Sequence, residues 1–585
     1  MALVDVDIGA VPNDGTGDSL RTAFGKVNGN FAALADLDTY IVTGSSLLLV
    51  GDDSTSNTAP LQDALDAMTS GGEIWILSPG IYRSGALTIP NDNISIRLAK
   101  GVTLKFPTLG TNTPAISVEA NYFTIYGGGK LQGPSSAAYV LGEHCIDMIG
   151  TSSASRKTGL CVRGVEIMNF GSIGVQAKWT DNIEVDGGCY IHDCGYAGAM
   201  FTSCNNGRFV GNTIDNITPG TSSNMYGVSL THDTAGYSSD ANAGTKLAAN
   251  PFCRGWNIAF NEISRVAWEG IDAHGAYEVQ VAYNRIYATQ QGIAITESSG
   301  NADDYAGYSN IIVGNIVDAR NKDGSTSGYE NDSYGINING GATVTQMRIV
   351  CNGNIVVYKG LKLNSNVGAI QATRATRLVI SANVIDNWSG VGILLTLAGG
   401  QISDNFFGQL AASGDTNSSC ILDSGPSTRK LVVDGNTLDV EGGIAPANGF
   451  RQIAAATVRP TLSGNRFSDA TTPFNLSTGG FSLGTDVVPR LAVAGAAGAI
   501  DIAALGGEDG VVALTDNDTY TVTNFTNGSE GQTITVMKSG TGTVTVDRTN
   551  AALDGGTNKT LTGAYTLTLR QHTGVWRQIA YSQGS

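Results

Sequence analysis

An asparagine that precedes an aliphatic residue or phenylalanine by two positions recurs along the middle of the chain. It stands at Asn212, Asn261, Asn284, Asn315, Asn354, Asn383, Asn405, Asn436 and Asn465. The successive gaps are 49, 23, 31, 39, 29, 22, 31 and 29 residues. A floor of 22–23 residues with variable excess is the pattern of a solenoid whose turns carry loops inserted at their corners. Such a chain packs each unit only on its neighbours, which is how 585 residues escape the size limit of one ordinary core. The recurring asparagine reads as structural, because it tolerates tight-turn backbone and stacked copies can hydrogen-bond as a ladder.

A second landmark lies inside the turns, a glycine followed by alternating residues. It reads GVQAK (174–178), GVSLT (227–231), GIDAH (270–274), GIAIT (292–296), GININ (335–339) and GILLT (392–396). Alternation sends Val228, Leu230, Ile271, Ile293, Ile295, Ile336 and Ile338 inward. It sends Ser229, Thr231, Asp272, His274, Ala294, Thr296, Asn337 and Asn339 outward.

Seventy-seven glycines against 14 prolines, with 15% charged residues, suit many short strands and tight turns. The net charge of −17 argues against a nucleic-acid groove or an anionic membrane surface as the main partner. No apolar run reaches the length of a membrane span, and the N-terminus lacks the basic and apolar regions of a signal peptide. The eight cysteines lack zinc-like CxxC spacing and read as reduced core residues, with Cys189 and Cys194 the pair to check for a disulfide.

Three regions resemble known families. The first, DIGAVPNDGTGDSLRTAF followed by KVN and NF, resembles a segment at the N-termini of bacteriophage tail-fibre and tailspike proteins. Within it Leu20, Phe24, Val27, Phe31 and Leu34 form a heptad-like stripe, read as a helix packed on its own chain or on copies of itself. The second is a short helix over Thr58–Met68 followed by GGEIWILSPGIYR and paired strands. It resembles the opening of the pectate-lyase-like superfamily and implies a right-handed parallel β-helix plugged at its N-terminal end. The third, from 484 onward, has strand-like runs about ten residues apart and reads as an antiparallel sandwich. Its ending resembles the C-terminal β-sandwich of some phage tailspikes, with trimer locking or carbohydrate contact as its role. The expected fold is all-β: a virion-proximal segment with a short helix (1–44), the parallel β-helix (45–483) and a C-terminal β-sandwich (484–585).

The stretch WEGIDAHG (268–275) gathers two carboxylates and a histidine. Asp272 and His274 share the outward face about 7 Å apart, and Glu269 sits at the corner that feeds their strand. Tyr226 replaces Glu269 in the turn before, Gln291 in the turn after. Asp233 and His232 extend one neighbouring strand end and Glu297 the other. Long insertions at Thr234–Asn250 and Ser298–Tyr308 flank this turn and would wall a groove. Tyr237, Tyr305, Tyr308, Trp256 and Trp268 are aromatics suited to stacking on sugar rings. Paired carboxylates suit glycoside hydrolysis, in which one gives a proton and the other attacks or activates water. EGIDxHG also resembles a phrase in other β-helix carbohydrate-active proteins. Glu269, Asp272, His274, Glu297 and Asp233 are therefore the candidate catalytic residues. Tyr226, Ser229, Thr231, His232, Trp268 and Tyr305 are the candidate substrate contacts. No metal or cofactor is expected, although Asp303 and Asp304 could contribute to a calcium site.

Together the resemblances imply a homotrimeric phage tailspike on the virion tail, made in the host cytoplasm and attached through its N-terminus to tail or baseplate proteins. It would depolymerise a host surface polysaccharide. A polysaccharide lyase, a non-enzymatic receptor spike and a turn merely decorated by Asp272 and His274 are the alternatives. Nucleic-acid binding and membrane insertion are not expected.

Overall fold

The computed structural model describes residues 22–24, 26, 27, 39, 40 and 49–585, except 135–138, 218–223, 233–251, 297–306, 308, 329–333, 341–345, 359–366, 412–417, 426–428, 454–459, 476–481, 484–489, 494–497, 503–509, 515–518, 539–541, 554, 555, 563–565 and 583–585. Residues 22–24, 26 and 27 are helical and Phe24 is exposed. Leu20, Phe31 and Leu34 lie outside the described residues. So do the expected domain boundaries at 44/45 and, on its C-terminal side, at 484. The chain divides into two compact units: 1–307 with 321–327, and 308–320 with 328–585.

In the first unit the chain winds as a three-sided coil of parallel strands. One turn comprises Asn205–Val210, Thr213–Ile217 and Tyr226–Thr231. The next begins at Arg254–Ala259 and runs through both remaining sides as one long strand, Glu262–His274. The turn after repeats this with Tyr277–Ala282 and Arg285–Thr296. Pairing is parallel with one-turn register: Thr213 faces Glu262 and Glu262 faces Arg285. The inward residues Val228, Leu230, Ile271, Ile293 and Ile295 are fully buried, as the alternation requires.

Two columns of special residues shape the corners. Glycine stands near the start of the third side in the turns of Gly174, Gly198, Gly227, Gly270 and Gly292, where the turns approach closely. A Cβ on Gly227 would meet the Gly270 carbonyl at 2.3 Å, and one on Gly270 the Gly292 carbonyl at 2.8 Å. The asparagine ladder forms as expected: the Asn212 backbone N–H donates to Asn261 Oδ1 at 2.9 Å, and that of Asn261 to Asn284 Oδ1 at 3.0 Å. Each rung satisfies a buried amide at a corner where no strand can.

The helix Thr58–Ala67 buries Leu61, Ala64 and Leu65. Its Gln62 side chain donates to the Thr88 carbonyl and accepts from the Thr88 amide, both at 2.9 Å. A side-chain amide thereby occupies backbone groups of the strand Leu87–Ile89 that would otherwise present an open edge.

In the second unit the ladder continues from Asn315 through Asn354, Asn383, Asn405 and Asn436 to Asn465, with rungs of 2.9–3.1 Å. Two sheets follow, built on Ile500, Val512, Val522, Phe525, Ile534, Val544, Leu567 and Trp576. The expected antiparallel sandwich is corrected here. Arg490–Val493, Gly510–Leu514 and Thr533–Lys538 pair parallel in one sheet, and Gly498–Asp501, Tyr520–Thr526 and Thr543–Val546 pair parallel in the other. Successive strands alternate between sheets, so the chain returns to each sheet running the same way. Turn signals every ten residues do not distinguish this from a meander. Among the described residues here, antiparallel pairing enters with the last strands, Lys559–Thr562, Thr566–His572 and Val575–Ser582. Thr573 and Gly574, both at positive φ, close the final hairpin.

All eight cysteines are free thiols, and burial pushes the Cys189 and Cys194 thiols up to about 11 and about 12. The Cys189–Cys194 disulfide is therefore not formed.

Candidate active site

The register places the candidate residues as the sequence spacing implies. Tyr226 pairs with Glu269 and Ser229 with Asp272; on the other side Glu269 pairs with Gln291, Asp272 with Ala294 and His274 with Thr296. A register shift between Val266 and Glu269 takes up the corner, and both Glu269 and Asp272 follow it on the same strand.

The side chains converge more closely than strand spacing alone gives. One ligand atom from each of Glu269, Asp272 and His274 lies within 4.8 Å of the others. Asp272 Oδ2 accepts from Ser229 Oγ at 2.8 Å and contacts His274 Nδ1 at 2.7 Å. A carboxylate can only accept, so His274 carries its proton on Nδ1 and turns Nε2 away from Asp272. The expected 7 Å separation of these two residues shrinks because their side chains lean together.

Outward does not mean exposed here. Asp272 is 0% exposed and Glu269 3%, whereas the His274 side chain retains 24%. Among the described residues, Asp272 Oδ1 and Glu269 Oε2 are buried without a hydrogen-bond donor. Burial pushes the Glu269 carboxyl far above the usual carboxylate range, and the neighbouring Asp272 charge adds to it; His274 and the Trp268 indole oppose the shift. The three residues could also ligate a small divalent cation, each with one atom.

Aromatic rings wall one side. Tyr139, Tyr196 and Tyr226 follow one another with centroids 5.5 and 5.6 Å apart, and Trp268 packs against this group. Burial raises Tyr226 above the ordinary phenol range, helped by Asp272. Tyr226 thus packs beside the carboxylates, and Ser229 is committed to Asp272. Thr231 is half-buried on the strand before. His232 is buried edge-on against Phe252, with centroids 4.7 Å apart. Asp233, Tyr237, Glu297, Asp303, Asp304, Tyr305 and Tyr308 lie outside the described residues.

The reading of Trp256 as a sugar-stacking aromatic is corrected. It is buried, with its indole donating to the Cys204 carbonyl at 2.9 Å, because Gly207 in the preceding turn leaves room for the ring. The sequence reading also passed over Asp147. It occupies the column of Asp272, through the pairs Asp147–Gln176, Gln176–Met200, Met200–Ser229 and Ser229–Asp272. Burial raises its carboxyl to about 7, opposed by Lys178. The pattern Ile-Asp-Met at 146–148 carried that signal.

Residues 498–577 match the family model of the phage depolymerase C-terminal beta sandwich domain. A search of curated proteins returns no match. Among solved structures the chain is similar to bacteriophage phi29 gene product 12 in its pre-mature form (11% identity, 88% of this chain and 68% of that one, TM-score 0.48). It is also similar to the catalytic unit of a GH87 alpha-1,3-glucanase from Streptomyces thermodiastaticus (15%, 74% and 71%, TM-score 0.40). A third likeness is to the Dettilon tailspike protein (14%, 75% and 68%, TM-score 0.36).

Proposed function

We propose that the chain is a phage tailspike that depolymerises host surface polysaccharide by glycosidic hydrolysis at Glu269 and Asp272. The observation that carries this reading is a pair of buried carboxyls in unlike surroundings. Glu269 is driven to keep a proton by burial and by Asp272, while Asp272 takes two hydrogen bonds on one oxygen. A group that holds its proton beside a second carboxyl fixed in place by hydrogen bonds suits the division of labour that glycoside cleavage needs. Glu269 gives its proton to the leaving glycosidic oxygen, and Asp272 serves the anomeric carbon directly or through water. The match of the C-terminal domain to phage depolymerases supports the substrate class and the virion-tail location. Assembly as a homotrimer attached through the N-terminal segment belongs to the same proposal, and sedimentation of the purified chain tests it.

A second reading rests on exposure. His274 is the solvent-facing member of the cluster, and Asp272 orients its ring. As a base on Nε2 it would serve a lyase that removes a proton beside a uronate carboxylate.

One assay separates the readings. Purified host capsule, exopolysaccharide and O-antigen preparations are digested with the wild type, Glu269→Gln, Asp272→Asn and His274→Ala. New reducing ends and ultraviolet absorbance are read together. Hydrolysis gives reducing ends without absorbance, and both carboxamide variants lose at least about a hundredfold in rate, the size expected for an acid–base group. Absorbing products lost in His274→Ala establish the lyase. Full activity in all three folded variants would remove the reaction from this turn, and binding without cleavage by the wild type would leave a receptor spike.

A further inference from the structure

A second polar cleft lies on another side of the first unit, around a corner from Glu269. It encloses about 660 Å³ and is lined by Tyr190, Asp215, Glu262, Ser264, Arg265 and Lys322, among others. The strand Glu262–His274 serves both places: Glu262 and Ser264 face the cleft before the corner, Glu269 and Asp272 follow it.

Arg265 stands at a corner of the coil beside the cleft. Its corner column runs Asn169, Asp193, Asn216, Arg265 and Ala288, in register through the adjacent pairs Met168–His192, His192–Asp215, Asp215–Ser264 and Ser264–Tyr287. All five have φ between 47° and 63°. Asparagine and aspartate tolerate that left-handed geometry; arginine gains nothing from it locally. Arg348, Arg374 and Arg377 share that backbone geometry, so what marks Arg265 is how its guanidinium bonds. It donates through Nε to Asp215 Oδ1 at 2.8 Å and through Nη2 to Asp215 Oδ2, while its side chain stays 52% exposed. Ser264 Oγ donates to the same Oδ1 at 2.7 Å. Burial works to raise Asp215, but the bonds from Arg265 and Ser264 hold it below the usual carboxylate range. Across the cleft Lys322 pairs with Glu262. Tyr190 is 36% exposed and rests one face on His192, with centroids 4.1 Å apart and rings 23° from parallel.

We propose that this cleft is a second saccharide site, for neutral pyranose units. A flat half-exposed phenol ring backed by a second ring suits the C–H face of a pyranose. Carboxylates and a guanidinium already paired with each other keep lone pairs and N–H groups for sugar hydroxyls. The lining carries Asp215, Glu262 and Asp323 against Arg265 and Lys322, so an acidic sugar meets net repulsion and a neutral one does not. The identity of the ligand's source as host polysaccharide rests on the function proposed above; the site itself does not.

The test uses the full chain and a surface-bound panel of neutral trisaccharides of glucose, galactose, mannose and rhamnose, beside uronate-containing counterparts. At least one neutral probe binds the wild type and Glu269→Gln equally. Arg265→Asn, which places at this corner the residue of the preceding turn, and Tyr190→Ala each weaken that binding by about tenfold or more. The proposal is overturned if no neutral probe binds, if uronates bind better, or if Glu269→Gln abolishes binding that Arg265→Asn and Tyr190→Ala leave intact. Lost cleavage with retained cleft binding would overturn only the catalytic reading.

Discussion

A carboxyl whose proton affinity rises on folding makes stability fall with pH. Glu269 binds its proton more tightly folded than unfolded. Between the ordinary glutamate range and the raised folded value the native state therefore holds more protons, and unfolding free energy declines as pH rises. Asp147, raised to about 7, and Asp423, raised to about 6, act in the same sense. Glu269→Gln removes the largest of these penalties. The variant should unfold at a higher temperature than the wild type at pH 8, by on the order of a few kcal/mol of stability, with the gap closing toward pH 4.5. Thermal unfolding at several pH values reads this; a wild type more stable at pH 8 would refute it. A proton held on Glu269 lowers the negative charge of the cluster without a cation. Chelator treatment should leave cleavage unchanged, whereas loss of activity restored by one divalent ion would mean that Glu269, Asp272 and His274 hold that ion instead. The shared face of Asp272 and His274 was legible from alternation, and the place of Glu269 from the corner that feeds their strand. Their depth was not. Alternation tells which way a side chain points, and what lies over it depends on other segments.

At the scale of one corner, the residue before each ladder asparagine has a left-handed backbone in every turn: Gly211, Phe260, Tyr283, Gly314, Gly353, Ala382, Asp404, Gly435 and Gly464 have φ between 54° and 70°. Glycine takes that conformation without strain, alanine at a cost of about 1 kcal/mol. Ala382→Gly should therefore stabilise the second unit, by up to about 1 kcal/mol after the extra freedom glycine gives the unfolded chain. The neighbouring Asn383→Ala should act strongly the other way. It removes an acceptor from the Asn354 amide and the donor that Cys351 and Asn405 receive, all buried, at about 1–3 kcal/mol for each group left bare. Chemical denaturation of the two variants against the wild type measures both signs. The sequence showed this ladder because its residues are identical from turn to turn. The Arg265 cleft stayed hidden for the converse reason. A left-handed corner breaks the alternation that assigns sides, and Lys322 meets Tyr190 and Asp215 there from more than a hundred residues further along the chain. Trp256 was misread on similar grounds: only the vacancy at Gly207, 49 residues earlier, reveals that its ring points inward.

The molecule as a whole carries a net charge of −17, and under the proposed function this constrains which polysaccharides can serve as substrate. A neutral polymer feels little of that field. A polyuronate is repelled over distances that shrink from about 30 Å at 0.01 M salt to about 8 Å at 0.15 M. If the substrate is neutral, KM should be nearly flat from 10 to 300 mM sodium chloride. If it is acidic, KM should fall as salt rises, since screening lifts the repulsion while the buried chemistry at Glu269 and Asp272 is scarcely touched and kcat stays constant. The hydrolase reading fits either behaviour. The lyase reading requires a uronate and so requires the falling KM. Steady-state rates across that salt range, with reducing ends and absorbance followed together, therefore test mechanism and substrate class at once: absorbing products with a flat KM are the combination that neither reading permits.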